Sequence, residues 1–246
     1  MKQFYYRSVP GFLLSLALMY PARAADNAPT VDSILDKFVE VSGGKSALEK
    51  IKSRTIKGEL EMLGSTSDWV MSAKAPNKQF SEFNNPAFGA VVEGFDGTVA
   101  WSRNQGGVRV KEGEELAKLK RDADFYRDLN LKTLYPDLAY KGTDKVDGEE
   151  VRALESKPSA SSKERFSFST KSGLLVLQES EFEGPQGKLS VRVRVDDYRV
   201  VDGIKYPHSL KFRIDAGGQE FEFGIKVKEV KHNVSLEDAK FAKPNS

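Results

Sequence analysis

The sequence predicts an α+β protein built on one long antiparallel sheet, and three late segments carry most of that prediction. Apolar and polar residues alternate almost without error over residues 189–196, 210–215 and 220–228. Successive side chains of a strand point to opposite faces, so each segment has one apolar and one charged face. Turn signals such as Asp202-Gly203 separate the segments. Strands joined by tight turns pair antiparallel, and the apolar face of such a sheet needs a cover.

The first residues have the features of an export signal. Lys2 and Arg7 precede the short apolar run 11–20, and the small-x-small pattern Ala22-Arg23-Ala24 follows it. This order is typical of a secretory signal peptide, and we expect cleavage after Ala24. The alternative is a membrane anchor, but the run has about half of the roughly 20 residues that a spanning helix needs. The predicted organisation is therefore a signal peptide at 1–24 and a single domain at 25–246.

Composition excludes several classes of function. Without its signal peptide the chain has 35 basic and 36 acidic side chains, because three of the 38 basic residues lie in that segment. A net charge of −1 gives no reason to expect nucleic acid as a partner. The chain has no cysteine, which excludes disulfides, a thiolate nucleophile and a lipid-modified N-terminal cysteine.

Two short helices should open the folded part. Ile34, Leu35 and Phe38 share a face of the predicted helix 31–42, and glycines at 43 and 44 end it. A second helix is predicted at 46–51. The strands predicted next cover residues 54–64, 67–75, 78–84, 89–95, 98–104 and 108–111.

A central helix interrupts the strands. Leu116, Leu119, Ala123 and Tyr126 recur at helical spacing within residues 112–131, with charged residues between them. We expect Leu116, Leu119 and Tyr126 to face the sheet and to border the mouth of a cavity. Strands resume at 138–146, 149–156, 164–170, 174–183, 188–199, 206–215 and 219–231, and a helical turn at 235–239 closes the chain.

Common catalytic and cofactor signatures are missing from the sequence. The two histidines, His208 and His232, form no metal-binding motif, and no serine lies in a GxSxG elbow. Residues 44–46 read Gly-Lys-Ser, but a phosphate-binding loop needs glycine where Val39 stands. We therefore predict no catalytic residue, no metal and no cofactor, and expect that the protein is not an enzyme.

The surplus of apolar side chains on the sheet predicts a binding pocket instead. The predicted helices are few for so large a sheet, and a concave apolar surface with little cover is how pockets for hydrophobic ligands are built. We expect Arg192, Arg194, Arg213 and Glu222 to point outward. The predicted ligand-binding residues are Trp69, Met71, Phe80, Trp101, Leu116, Leu119, Tyr126, Val191, Val193, Val195, Phe212, Phe221 and Phe223.

Three stretches resemble the LolA family of periplasmic lipoprotein carriers. Residues 69–80, with Trp69-Val70, Lys74-Ala75-Pro76-Asn77 and Phe80, resemble that family's Trp-Val-Lys-Arg-Pro-Asn-x-Phe stretch. Residues 96–101 resemble its Asp-Gly-x-x-x-Trp hairpin, and 238–244 its Asp-Ala-x-Phe end. Residues 202–207 resemble a segment common among LolA-like and LolB-like proteins. The sequence departs from the family at Ala75, where the carrier has a functional arginine.

The resemblance implies an incomplete, strongly curved antiparallel barrel with helices as a lid over an apolar cavity. It implies an exported, non-enzymatic binder or carrier of lipids, acyl chains or lipoproteins, without a cofactor. The expected partners are acyl chains and a membrane-bound donor or acceptor protein, and the expected state is a periplasmic monomer, or an extracellular one in a host without an outer membrane. The alternative is a sensor or scaffold domain of the same fold that binds a protein partner, as in RseB-like regulators.

Overall fold

Thirteen antiparallel strands form one open sheet in the computed structural model, which describes residues 28–86, 89–184 and 187–244. The predicted signal peptide lies outside these residues. The strands are β1 (Ser53–Met62), β2 (Ser65–Lys74), β3 (Lys78–Asn85), β4 (Gly89–Phe95), β5 (Ala100–Asn104), β6 (Gly107–Val110), β7 (Ala139–Val146), β8 (Glu149–Ser159), β9 (Ser162–Ser169), β10 (Leu175–Gly184), β11 (Gly187–Val201), β12 (Ile204–Ala216) and β13 (Gln219–His232). Their positions confirm the predicted strands.

The sheet is a meander whose first and last strands meet at its centre. The spatial order is β6-β5-β4-β3-β2-β1-β13-β12-β11-β10-β9-β8-β7, so β6 and β7 are free edges. The sheet curves strongly, because Val91 of β4 and Phe212 of β12 border one cavity although four strands separate them in the order. This is the predicted incomplete, curved barrel. We call its concave side the inner face and its convex side the outer face.

The helices are α1 (Val31–Val41), α2 (Lys45–Lys50), α3 (Gly113–Asp122) and α4 (Arg127–Leu134), with a 3-10 turn at Asp238–Lys240. At its start, α1 is capped by Thr30, whose Oγ1 accepts from the Ser33 amide at 3.1 Å. Its end is held on the β11–β12 turn, where Ser42 O accepts from the Lys205 amide at 2.9 Å. Gly43 has φ +127°, and a Cβ there would lie 2.5 Å from Gly203 O, so this docking requires glycine. No helix among the residues described is long and apolar enough to cross a membrane.

The central helix is two helices, which corrects the prediction of a single one over 112–131. Between α3 and α4, the Phe125 amide donates to Pro76 O at 2.9 Å, which ties the connection to the β2–β3 turn. The Asp124 carboxylate accepts from the Tyr126 amide at 2.9 Å. Because the chain turns here, Tyr126 does not share one helical stripe with Leu116 and Leu119.

The helices cover the two flanks of the inner face. Over β8–β10, α1 and α4 pack on a core whose members are Ile34, Leu35, Phe38, Leu131, Tyr135, Leu154, Phe166, Phe168 and Leu175. On the other flank, Leu116 and Leu119 of α3 pack against Phe95 and Ala100. Burial of each large apolar side chain stabilises the fold by roughly 1.5–3 kcal/mol.

The register of β11, β12 and β13 confirms the predicted strand faces. Val193 lies opposite Phe212, which lies opposite Phe223, so these apolar side chains share the inner face. The charged row of Arg192, Arg213 and Glu222 is aligned in the same way on the outer face. A slip by one residue would exchange the two sets, which is why the alternation specifies the register.

Phe80 and Trp101 lie on the outer face, which corrects their predicted place in the pocket. Phe80 pairs with Gly94, which pairs with Trp101, whereas Trp69 on the inner face pairs with Phe83. The C-terminal segment covers this outer patch: Trp101 Nε1 donates to Phe241 O at 3.0 Å, and the Phe241 ring is fully buried. The two aromatic residues therefore fix the end of the chain to the sheet.

Candidate functional site

An apolar cavity of about 340 Å³ lies on the inner face between the two helix-covered flanks. Among the residues that the structure describes, those that line it all lie in strands: Ile56, Leu60, Met62, Trp69, Met71, Gln79, Ser81, Phe83, Val91, Glu93, Tyr206, Pro207, Leu210, Phe212, Phe223, Ile225 and Val227. The helices that the sequence predicted as a lid border a second cavity, described below. We call the strand-lined one the apolar cavity.

Aromatic and aliphatic side chains give the apolar cavity its walls. The Phe212 and Phe223 rings stack with their centroids 4.5 Å apart and their planes within 5° of each other. Ile56 and Leu60 are buried at its floor. The apolar surface continues past Phe223 to Phe221, which is 46% exposed. The cavity is therefore open to solvent at the end of the long strands.

A second cavity, of about 250 Å³, lies next to the first beneath α1, α2 and the α3–α4 connection. We call it the polar cavity. Val193 and Val195 form part of its sheet wall, and Tyr126 lies at its helical side. Tyr206, Pro207 and Leu210 line both cavities, so the two adjoin along β12. The inner face thus carries an apolar compartment lined by strands and a second compartment, bordered by helices, in which polar and charged groups join the lining.

Arg54 is the most unusual side chain of the polar cavity. Its guanidinium contacts two aromatic rings, at 5.0 Å from the centroid of Phe125 and 5.3 Å from that of Tyr206. Among the residues that the structure describes, no carboxylate lies within 4.0 Å of it, and its buried Nε has no acceptor in the protein. A cation in contact with aromatic rings and without an ion pair is poorly compensated.

Neighbouring charges form a connected ion cluster under α3 and α4. Lys118 Nζ donates to Asp122 Oδ2 at 2.6 Å and lies 3.5 Å from Glu164 Oε1, and Arg127 Nε lies 3.5 Å from Asp122 Oδ1. Burial by itself would raise the pKa of Asp122, but Lys118 and Arg127 outweigh it and hold that pKa below the ordinary value.

Two further carboxyl groups have the opposite shift. Burial raises the pKa of Glu164, whose side chain is fully buried, and Lys118 only partly offsets this effect. Burial also raises the pKa of Asp128, which lines the polar cavity, against the opposing charges of Arg127 and Arg54. Burial therefore disfavours the charged forms of Glu164 and Asp128, whereas the charged form of Asp122 is stabilised by its cationic neighbours.

The structure brings only part of the predicted site together. Trp69, Met71, Phe212 and Phe223 line the apolar cavity. In the polar cavity lie Tyr126, Val193 and Val195. Val191 and Phe221 are on the inner face beyond the apolar cavity, Leu116 and Leu119 pack under α3, and Phe80 and Trp101 are on the outer face.

Sequence reasoning missed the charged residues of the polar cavity. A signal was present in β1, where Arg54 precedes Ile56, Gly58, Leu60 and Met62 in the apolar register. A single charged residue at an otherwise apolar inner-face position indicates either that the strand ends there or that the side chain binds a ligand. No group of three or more acidic or histidine side chains suited to a metal ion occurs within 28–86, 89–184 and 187–244.

Comparison with known proteins shows similarity in structure only. No protein-family model and no curated protein sequence matches the chain. It is similar to a DUF1329 family protein from Desulfovibrio piger (16% identity over 87% of this chain and 98% of that one, TM-score 0.54). It is also similar to a LolA superfamily protein from Nitrosomonas europaea (15% identity, 88% and 99%, TM-score 0.50) and to a domain from Vibrio parahaemolyticus named for outer membrane lipoprotein sorting (12% identity, 84% and 97%, TM-score 0.50). The chain therefore has the LolA-like fold.

Proposed function

We propose that the protein is an exported, non-enzymatic binder or carrier of acyl chains, lipids or lipoproteins in the cell envelope. The observation that carries this proposal is the apolar cavity on the inner face, whose walls are side chains of six strands. Export is supported by the signal-like residues 1–24. The fold agrees, since one structural neighbour is named for lipoprotein sorting.

The open end of the cavity suits a ligand that enters lengthwise. Each methylene moved from water into an apolar site contributes about 0.8 kcal/mol, so ten of them contribute roughly 8 kcal/mol before the cost of immobilisation. Among the described residues none that lines the apolar cavity is helical, so an acyl chain can occupy it without displacing a helix. Binding and release are then governed by the ligand's own partition between water and the cavity.

Ala75 favours a general acyl-chain binder over a dedicated lipoprotein carrier. The side chain packs against a cluster that contains Ile51, Ala73 and Phe125. Because the carrier family has a functional arginine at the matching position, lipoprotein transfer is the part of the family's activity that this substitution affects.

Tryptophan fluorescence tests the proposal directly. The chain has two tryptophans: Trp69 lines the apolar cavity, and Trp101 is buried on the outer face. We expect a fatty acid brominated along its chain to quench the emission of the wild type in a saturable manner. The Trp69→Phe variant, which retains Trp101, should be quenched little.

Equal quenching of the wild type and Trp69→Phe would contradict binding in this cavity, as would no saturable quenching of either. A complementary measurement is mass spectrometry of an organic extract of the native protein, in which a carrier should contain lipid. A protein that contains no lipid and shows no quenching would instead fit the sensor or scaffold alternative.

A further inference from the structure

The buried polar atoms around the polar cavity include an excess of donors. In the parts of the chain that the structure describes, three buried guanidinium nitrogens of the two arginines that line this cavity, Nε of Arg54 and Nε and Nη2 of Arg127, have no hydrogen-bond acceptor in the protein. One of them, Arg127 Nε, still has an ion-pair contact to Asp122. Among buried carboxylate oxygens, only Glu164 Oε1 is without a hydrogen bond there. Buried donors without partners are costly, and several of them favour a ligand rich in acceptors.

Among the residues that the structure describes, no carboxylate that lines the polar cavity lies within ion-pair distance, 4.0 Å, of Arg54. Asp122 is paired with Lys118 and Arg127, as described above. Asp124 accepts from the Tyr126 amide and, at 3.0 Å, from Asn130 Nδ2. Asp128 is the remaining carboxyl group, and its charge is disfavoured by burial. Lys205 adds one more cation to the lining.

The position of Arg54 relates the two cavities to each other. It occupies the inner-face position of β1 directly before Ile56, and Ile56, Leu60 and Met62 then line the apolar cavity. At about 3.4 Å per residue, Arg54 and Met62 are roughly 27 Å apart along the strand. A charged group and an extended apolar surface therefore follow one another along a single line, which is the shape of an amphiphile.

We propose that the ligand is an amphiphile with an anionic head group, whose carboxylate or phosphate is bound by Arg54, while its acyl chain lies in the apolar cavity. This inference rests on the proposed function and names the ligand class. Guanidinium groups bind both kinds of oxyanion through paired N–H donors, so the head-group chemistry is shared.

Titration calorimetry above neutral pH with two ligands of equal chain length tests the proposal. The ligands are palmitate, with an anionic head, and monopalmitoylglycerol, with a neutral one. We expect the wild type to prefer palmitate by at least about tenfold, which is the effect of one charge-assisted contact. Arg54→Gln should abolish this preference and leave the affinity for monopalmitoylglycerol within about twofold. Lysophosphatidate of the same chain length distinguishes phosphate from carboxylate heads.

Two further variants control the experiment. Arg213→Gln removes an exposed outer-face arginine paired with Glu222 and should leave both affinities unchanged. Asp128→Asn removes the remaining ionisable carboxyl group that interacts electrostatically with Arg54 and should raise the affinity for palmitate several-fold.

The outcomes separate the two proposals. Equal affinity of the wild type for both ligands would overturn the anionic head group and leave the acyl binder intact. Weaker palmitate binding by Asp128→Asn would also overturn it. Absence of binding by either ligand would overturn the proposed function itself. The comparison within the wild type does not depend on how well any variant folds.

Discussion

The two ends of the inner face share one strand pattern but differ in what covers them. At the end covered by α1 and α4, Leu154 and Phe166 are fully buried. At the open end, Phe221 is 46% exposed, although it too lies on the inner face. Alternation thus determines which face a side chain joins. The covering elements determine whether that face becomes a packed core or a cavity.

The two ends of the inner face also differ in the charged residues that they carry. Under the helices, Lys118 lies within contact distance of both Asp122 and Glu164. At the apolar cavity the acidic lining residue is Glu93, which is paired with Lys111 at 2.6 Å. Buried charges persist only where partners are supplied. The helices supply them at the covered end, and this is where a polar head group would find complementary charges.

The largest expected difference between the two ends is in stability. Phe166→Ala should lower the free energy of unfolding by about 3–5 kcal/mol, because it leaves a void in a closed core. Phe223→Ala, at a half-buried wall of the apolar cavity, should cost only about 1 kcal/mol while weakening acyl-chain binding. Urea unfolding and brominated fatty-acid quenching of both variants measure this contrast. Similar stability losses would mean that the apolar cavity is as tightly packed as the covered core.

A smaller effect is expected from the buried carboxyl group at the covered end. The pKa of Glu164 is raised in the fold above its ordinary 4.5, so its contribution to stability is fully present below about pH 4.5 and is lost as pH rises through the raised value. Glu164→Gln cannot ionise and escapes this loss. The variant should match the wild type in acid and be the more stable protein at alkaline pH. Urea unfolding across this range checks the sign, and a variant less stable at high pH would show that the Lys118 contact dominates.

The smallest stability effect should come from Val193→Trp at the boundary of the two cavities. Val193 lines the polar cavity and pairs with Phe212, which lines the apolar one. Free space should accommodate the larger ring, so stability should change by less than about 1 kcal/mol while binding of a fluorescent fatty-acid probe falls. Overfilling of a packed core would instead cost roughly 1–3 kcal/mol. A loss of stability of this size, together with unchanged probe binding by the folded fraction, would show that this strand does not contribute to the binding site.

The site was only partly predictable, because alternation identifies a face within a strand but not between distant strands. Trp69 and Met71 were assigned to the surface of the predicted pocket, and both line the apolar cavity. Phe80 was assigned to the same surface because it is aromatic, yet its pairing with Gly94 puts it on the other side of the sheet. The register between neighbouring strands depends on the geometry of the turns that join them. The number of aromatic residues in a strand does not predict that register.

Local patterns in the sequence by themselves determined the strands, the short helices at the start, and the direction of each side chain in β11–β13, because periodicities of 2 and 3.6 residues are local properties. Only the tertiary structure decided that the central helix breaks at 123–126, that strands line the apolar cavity, and that Arg54 contacts the rings of Phe125 and Tyr206. These features depend on residues far apart in the chain. Phe125 is tied to Pro76 in the β2–β3 turn, and the second ring that contacts Arg54 comes from β12. The pattern within a single segment does not reveal such contacts. The pairing of β1 with β13 brings these distant residues together.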